Sequence, residues 1–348
     1  MNLPNRPIPA YGLRLYLYPT LMAEINSSAL LVLEKICFAY WTFTVPFYTL
    51  VVVCMIHAQL KKATDLDSPF FKLCITTGFI DIVALLNNYI GAVFPKWGWF
   101  TDVYIAIGKP YLYVYFIISW GTGINQALSV SLLASNRLSA LLFPQRHRTL
   151  WQGRRLKLAM FIQIVPGFLV SLHNLTNEVV FTRTENGGLV PEITDKKTTA
   201  IYFTVGGCVL AVNTLYLIVA YCYLLYILRK RHQSQLKHHN SRNRSDRKKS
   251  GLEKREFRLF LMASSIVTVQ LFIVAFFSIK LMPVFRITMD VFYTFYNALN
   301  NIYAGASAYL LWIFSDALRN YIYARLRLIR TTVLPITSVS SVRSRVDK

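Results

Sequence analysis

One carboxylate in this chain sits where water is scarce. Asp81 lies inside the apolar run Phe70–Phe94, which holds no other acid. A charge at such depth is costly, so the group must face other protein and either find a partner or take up a proton. Two chemistries suit it: a polar clamp that fixes one helix against another, or a switch that responds to a cation or a proton. Candidate amide partners occur in other apolar runs, namely Asn125 and Gln126, then Asn297, Asn300 and Asn301. Asp81, Asn125, Asn300 and Asn301 form the expected polar core.

Signatures of catalysis are missing. The chain has no Gly-rich phosphate loop, no HExxH and no GxSxG. His238-His239 lies in a cationic stretch and reads as a solvated pair rather than a metal site. The five cysteines all fall in apolar runs, where they read as small packing residues rather than a disulfide or zinc framework. No catalytic residue, cofactor or metal is expected. The residues best suited to a small organic ligand are aromatic: Tyr115, Phe116, Trp120, Tyr202, Phe292 and Tyr296. Such side chains line apolar cavities, although aromatic belts are also ordinary at membrane interfaces. No acid occurs between Tyr111 and Ser135, so that run offers no salt bridge to an amine. No lysine occurs in Val291–Phe314, which excludes a retinal Schiff base there.

The elements that must position these groups follow from composition. The chain has 348 residues, 54% of them hydrophobic and only 16% charged, with a mean hydropathy of +0.40. Soluble proteins carry roughly a quarter charged residues. Seven apolar runs account for the difference: Ile36–Ala58, Phe70–Phe94, Tyr111–Ser135, Leu156–Leu175, Ala200–Leu228, Leu259–Pro283 and Val291–Phe314. Each approaches the ~20 residues that cross a bilayer as a helix, and in lipid every backbone amide must be bonded within its own helix. The expected fold is an all-α membrane protein, a seven-transmembrane-helix bundle. A short amphipathic helix follows span seven, with Leu318, Ile322, Leu326 and Ile329 on one face and arginines between them. It suits the anionic inner leaflet. The expected divisions are an N-terminal segment 1–35, the bundle 36–314, the amphipathic helix 315–330 and a disordered tail 331–348.

The net charge of +22 points to topology rather than nucleic acid. About 27 of the 38 Lys and Arg fall in the tail and in the linkers after spans one, three and five, against about 10 on the other side. That bias places the N-terminus outside and the C-terminus in the cytosol. The sequons at Asn26 and Asn174 would then lie outside, as glycosylation candidates. Arg137, Arg146, Arg148, Arg154 and Arg155, with the 229–258 connector, form a cationic cytosolic face that suits an acidic or helical partner. Ser245 and Ser250, each preceded by cations, are candidate kinase sites.

Seven spans, an outside N-terminus, Arg137 at the inner end of span three and a basic helix after span seven resemble a G-protein-coupled receptor. The rhodopsin-like signatures are mostly absent. Ser135-Asn136-Arg137 stands where Asp/Glu-Arg-Tyr would be, and Asn300-Asn301-Ile302-Tyr303 replaces Asn-Pro-x-x-Tyr. The chain is more similar to the nematode chemosensory serpentine receptors of the gamma/V-type superfamily. The likeness rests on Phe79-Ile80-Asp81-Ile82, on Pro95-Lys96-Trp97-Gly98-Trp99-Phe100-Thr101-Asp102, on Asn136-Arg137-Leu138-Ser139 with Phe143-Pro144, His147 and Trp151, and on Phe314-Ser315-Asp316 with Arg319-Asn320. It spans about Ile36–Arg325 and leaves gamma or V class open. The resemblance implies a plasma-membrane receptor of sensory-neuron cilia that binds a small-molecule chemical ligand and signals through a heterotrimeric G protein. Asn136, Arg137, Pro144, Arg148 and Trp151 would contact that protein, with membrane lipid as the other partner. A transporter or channel is the competing class. The odd span number, the lack of a repeated half and the single mid-span charge count against it.

Overall fold

The computed structural model describes residues 27–63, 66–184, 187–237, 261, 264–278 and 289–326. Asn26, His238-His239, Ser245, Ser250 and the chain beyond Leu326 lie outside the described residues.

Helix α1 runs Ser27–Leu60, starting ahead of the expected Ile36 and taking Glu34 and Lys35 into the helix. Helix α2 runs Pro69–Asn88 and continues through a π-turn, Tyr89–Val93, to Lys96. Next come α3 (Thr101–Ile107), α4 (Lys109–Leu142), α5 (Pro144–Leu150) and α6 (Arg154–Ser171). An antiparallel hairpin, β1 (Val179–Arg183) with β2 (Leu189–Ile193), leads to α7 (Lys196–Lys237). The chain closes with α8 (Ser264–Ser278), α9 (Met289–Phe314) and α10 (Asp316–Arg325).

Five of these helices are long and apolar enough to cross a membrane: α1, α2 with its extension, α4, α6 extended to Thr176, and α7. Helix α8 is apolar but described only over a shorter stretch. Helix α9 has 26 residues, roughly 39 Å at 1.5 Å per residue and so long enough to span. Asn297, Asn300 and Asn301 with several tyrosines keep it less apolar than the other five. The described chain is thus a multi-span helical bundle, with five spans marked by hydropathy alone. The protein is all-α as expected, and the one hairpin among the described residues is an addition in a connecting segment that the sequence did not foretell. Its pairing runs from Val179 opposite Ile193 to Arg183 opposite Leu189. Gly187, at φ +78°, makes the turn between the strands. Val179, Leu189 and Ile193 are buried, and Val179 and Ile193 cluster with Leu112 and Phe116 of α4.

Helix α4 is the hub, packing against α2, α6 and α7, while α1 packs against α2 and α9. Its fit to α6 depends on absent side chains. A Cβ on Gly167 would overlap the Gly121 carbonyl and the Asn125 amide. Pro166 next door cannot donate a backbone hydrogen bond, and Asn125 serves the backbone around it. Asn125 Nδ2 donates to the Ile164 carbonyl at 2.6 Å, and Gly167 N donates to Asn125 Oδ1 at 2.8 Å.

The π-turn of α2 has a comparable logic. Phe94 N bonds to the Tyr89 carbonyl instead of that of Ile90. The released Ile90 carbonyl accepts from the Tyr104 hydroxyl at 2.8 Å and the Tyr111 hydroxyl at 2.7 Å. One helix irregularity therefore anchors both α3 and the start of α4.

The half of the bundle away from the hairpin has a large apolar core that includes Tyr48, Met55, Leu73, Ala304 and Ala308. Helix α10 joins it through Leu318 and Ile322. Ser315 caps α10 by accepting from Leu318 N, and Tyr321 pairs with His57 Nδ1 of α1 at 2.6 Å. Leu326, expected on the same apolar face, lies past the end of α10 and is exposed. Cys54 and Cys74 are buried packing residues as expected, whereas Cys208 and Cys222 sit exposed on the outside of α7.

Candidate functional site

At the hairpin end of the bundle, α1, α2, α4, α7 and α9 surround a cavity of about 120 Å³. The Val190–Ile193 strand forms part of its wall. Four of the six aromatic candidates line it: Tyr115, Phe116, Trp120 and Tyr296. The other two stand behind the wall. Phe292 is 0% exposed, stacked between Phe276 and Tyr296. Tyr202 sits against the Trp120 ring and accepts from Asn177 Nδ2 at 2.9 Å. Phe203, the neighbour of Tyr202, reaches the lining instead.

The polar lining is rich in amides: Asn87, Asn88, Asn297, Asn300 and Asn301. Asn88 Nδ2 donates to Asn301 Oδ1 at 2.9 Å, and Asn301 Nδ2 donates to the Tyr89 hydroxyl at 3.2 Å. Asn87 Nδ2 donates to the Tyr115 carbonyl at 3.3 Å. Glu34 was not anticipated, because it precedes the apolar run that marks span one. The longer helix carries it to the cavity wall, where it accepts from three donors. Lys96 Nζ pairs with Oε1, Trp97 Nε1 donates to Oε2 at 3.1 Å, and Thr294 Oγ1 donates to Oε1 at 3.2 Å. One carboxylate thus ties α1 to the end of α2 and to α9. The hairpin supplies a second acid, Glu192, which accepts from Thr182 Oγ1 at 2.7 Å.

Asp81 lies deeper and is 2% exposed. It finds partners, but not the ones expected beyond Gln126. The Tyr48 hydroxyl donates to Oδ2 at 2.7 Å and Gln126 Nε2 donates to Oδ1 at 2.8 Å. Asn125 is committed to α6 and Asn301 to Asn88, so the expected polar core divides into three local arrangements. Asn300 lines the cavity and also a second, smaller one. Tyr48 gave little warning in the sequence, since a phenol in an apolar run looks like packing.

At the other end, Arg137 holds its guanidinium 3.4 Å from the centroid of the Phe70 ring of α2. An aromatic face therefore occupies the place of the carboxylate missing from its motif, an attraction of about 0.5–2 kcal/mol. Pro144 and Arg148 are exposed on α5. Asn136 is 1% exposed and so presents nothing to a partner in this conformation. Trp151 turns back to α4, its Nε1 donating to Ser139 Oγ at 2.7 Å. Asn174 is likewise withdrawn. It is 0% exposed, and its Nδ2, the atom a glycan would need, donates to the Ser171 carbonyl at 2.9 Å.

The described residues form a multi-span helical bundle with a cavity of aromatic rings and amides at one end. The sequence matches the family described as serpentine type 7TM GPCR chemoreceptor Srv over residues 37–328. The chain belongs to that family of nematode chemoreceptors. The match covers most of the chain and selects the V class over gamma. Its role is that of a chemosensory seven-helix receptor, not of a catalyst. No curated protein matches it.

Proposed function

We propose that the outer cavity binds a small external organic molecule and that the inner face of the bundle passes the signal to a heterotrimeric G protein. The carrying observation is the cavity itself. Its wall draws on α1, α2, α4, α7, α9 and the hairpin, so an occupant touches elements that can shift against one another. Its mixture of aromatic rings and carboxamides suits a compact ligand with both apolar surface and hydrogen-bonding groups. A ligand changes the equilibrium only by binding one arrangement more tightly than the other.

The distribution of Lys and Arg supports an outside N-terminus and a cytosolic C-terminus. On that topology Pro144, Arg148 and the arginines near them face the cytosol, and Arg137 stands at the mouth where the partner docks. Family membership supports a multi-pass plasma-membrane location, and sensory-neuron cilia are the location that the resemblance to chemosensory receptors favours. The test is a chemical screen in cells expressing the receptor, read by calcium or cAMP. An active compound is expected to raise nucleotide exchange on a G protein in receptor-containing membranes. Flux of that compound into sealed vesicles, with no nucleotide exchange, would replace this reading with a transporter.

A further inference from the structure

A second cavity of about 80 Å³ lies between α4, α7, α8 and α9. It adjoins the outer cavity, with Ser119, Trp120, Tyr296 and Asn300 forming a wall common to both. Its opposite end reaches the outside of the bundle. Gly123 of α4 and Val209 of α7, both in its lining, are exposed. They lie on the side where α7 displays Val205, Val212 and Leu215. An exposed apolar helix face of this kind is the surface a membrane-crossing helix turns to lipid.

The lips of the opening are small. A Cβ on Gly123 would meet nothing within 4 Å, and Gly206 contributes no side chain from α7. Between lips and junction the walls are mainly apolar, from Ile124, Ala127, Leu210, Ile273 and Phe277. Polar groups appear only in the interior, where Gln126 also holds Asp81. By contrast, the outer cavity is walled by the β2 strand and drawn together by the Glu34 bonds to Lys96, Trp97 and Thr294.

We infer that the crevice between Gly123 and Val209 is a lateral portal, through which small, mainly apolar molecules pass from the bilayer into the outer cavity. This rests on reading the outer cavity as the ligand site, and it narrows the ligand class to compounds that partition into membranes. A charged or strongly hydrated molecule would lose its water in the crevice with few partners to replace it. An apolar one arrives already desolvated by the lipid.

Thiol labelling tests the route without a known ligand. Cys37 lines the outer cavity and is a native reporter of access there. Ser119→Cys places a second reporter at the junction, in full-length receptor whose exposed Cys208 and Cys222 are changed to Ala. Purified receptor in liposomes is treated with N-phenylmaleimide, which partitions into lipid, or with a charged sulfonate thiosulfonate, and each cysteine is followed by mass spectrometry. Adding Gly123→Phe is expected to slow maleimide reaction at the junction cysteine at least ~10-fold, because rate follows access of the reagent to the thiol. The maleimide reaction at Cys37, farther along the same route, should slow as well, whereas reaction with the charged reagent, which does not enter from lipid, should be unaffected at both cysteines. Val209→Trp plugs the opposite lip and should act alike, which covers failure of the first variant to fold. A junction rate within about twofold of the unplugged receptor in both folded variants would overturn the portal, since access then comes from the outer side. Slowed labelling would uphold the portal even if no compound in the screen depended on the outer cavity, so the two readings fail separately.

Discussion

The two ends of the bundle are built from different material. The end away from the hairpin, the inner one on the proposed topology, is filled: Tyr48, Met55, Leu73, Ala304, Ala308 and Leu318 belong to one buried apolar core. The outer end keeps a cavity walled by amides and phenols under a hairpin, with Glu34 joining three elements around it. Close-packed interiors deform little and move between discrete arrangements, whereas a cavity leaves room for an occupant. The contrast suggests a division of labour, with selection at the loose end and response at the dense one. Asp81 lies at the border, bonded to Tyr48 from the inner core and to Gln126 from the wall of the second cavity.

Truncation at the dense end should be the most damaging. Leu318→Ala removes a fully buried anchor of α10, at an expected cost of about 2–5 kcal/mol. Thermal unfolding in detergent measures it, and a cost below about 1 kcal/mol would mean that α10 is not part of the core. At the border, Asp81→Ala strands the Tyr48 hydroxyl and the Gln126 amide, for an expected loss of about 2–4 kcal/mol. Asp81→Asn keeps an acceptor for one of them and should lose about half as much. Equal losses for the two variants would argue that charge, not hydrogen bonding, holds the site.

The loose end should tolerate what the dense end does not. Asn300→Ala enlarges a cavity that already exists, so unfolding should shift by about 0.5 kcal/mol or less. A loss as large as that of Leu318→Ala would erase the contrast. The smallest effect is expected at Asp195, just before α7. The Thr198 hydroxyl and then the Lys197 backbone N–H hold its carboxyl below the usual carboxylate range. A depressed folded-state value means the stabilisation is complete above the ordinary value of 3.8 and is lost as pH falls through the folded one. Asp195→Ala should therefore speed hydrogen exchange at Lys197 and Thr198, whose N–H groups the carboxylate holds, at neutral pH, and the difference from the native chain should vanish in strong acid.

Much of the fold could be read from hydropathy because lipid tolerates so few alternatives to an apolar helix. Five spans announce themselves in this way. Helix α9 does so weakly, since the asparagines that line the cavity are the same residues that lower its hydropathy. The hairpin gave no such sign. Its alternation covers five residues per strand, too few to stand out beside Glu178, Glu185 and Glu192. Glu34 does not stand out because it precedes the apolar run Ile36–Ala58, while a helix reaching past the hydrocarbon can carry charges beyond it. The polar core was only half legible. That Asp81 needed donors follows from burial, and Gln126 was among those considered. Which amide reaches which partner depends on helix rotation, which no residue type reveals. The Phe70 ring beneath Arg137 is also a tertiary fact, set by how the start of α2 meets the end of α4.

The central claim is that binding and coupling are separated along the bundle. The most direct test is a pair of dose–response curves with the first active compound, on receptors matched for surface level. Asn300→Ala is expected to raise the half-maximal concentration about 10-fold with the maximum response intact, as loss of a hydrogen bond in a binding site does. Arg137→Ala should leave the compound's affinity unchanged and depress the maximum. A reduced maximum with unchanged potency for Asn300→Ala, or undiminished coupling for Arg137→Ala, would contradict the account.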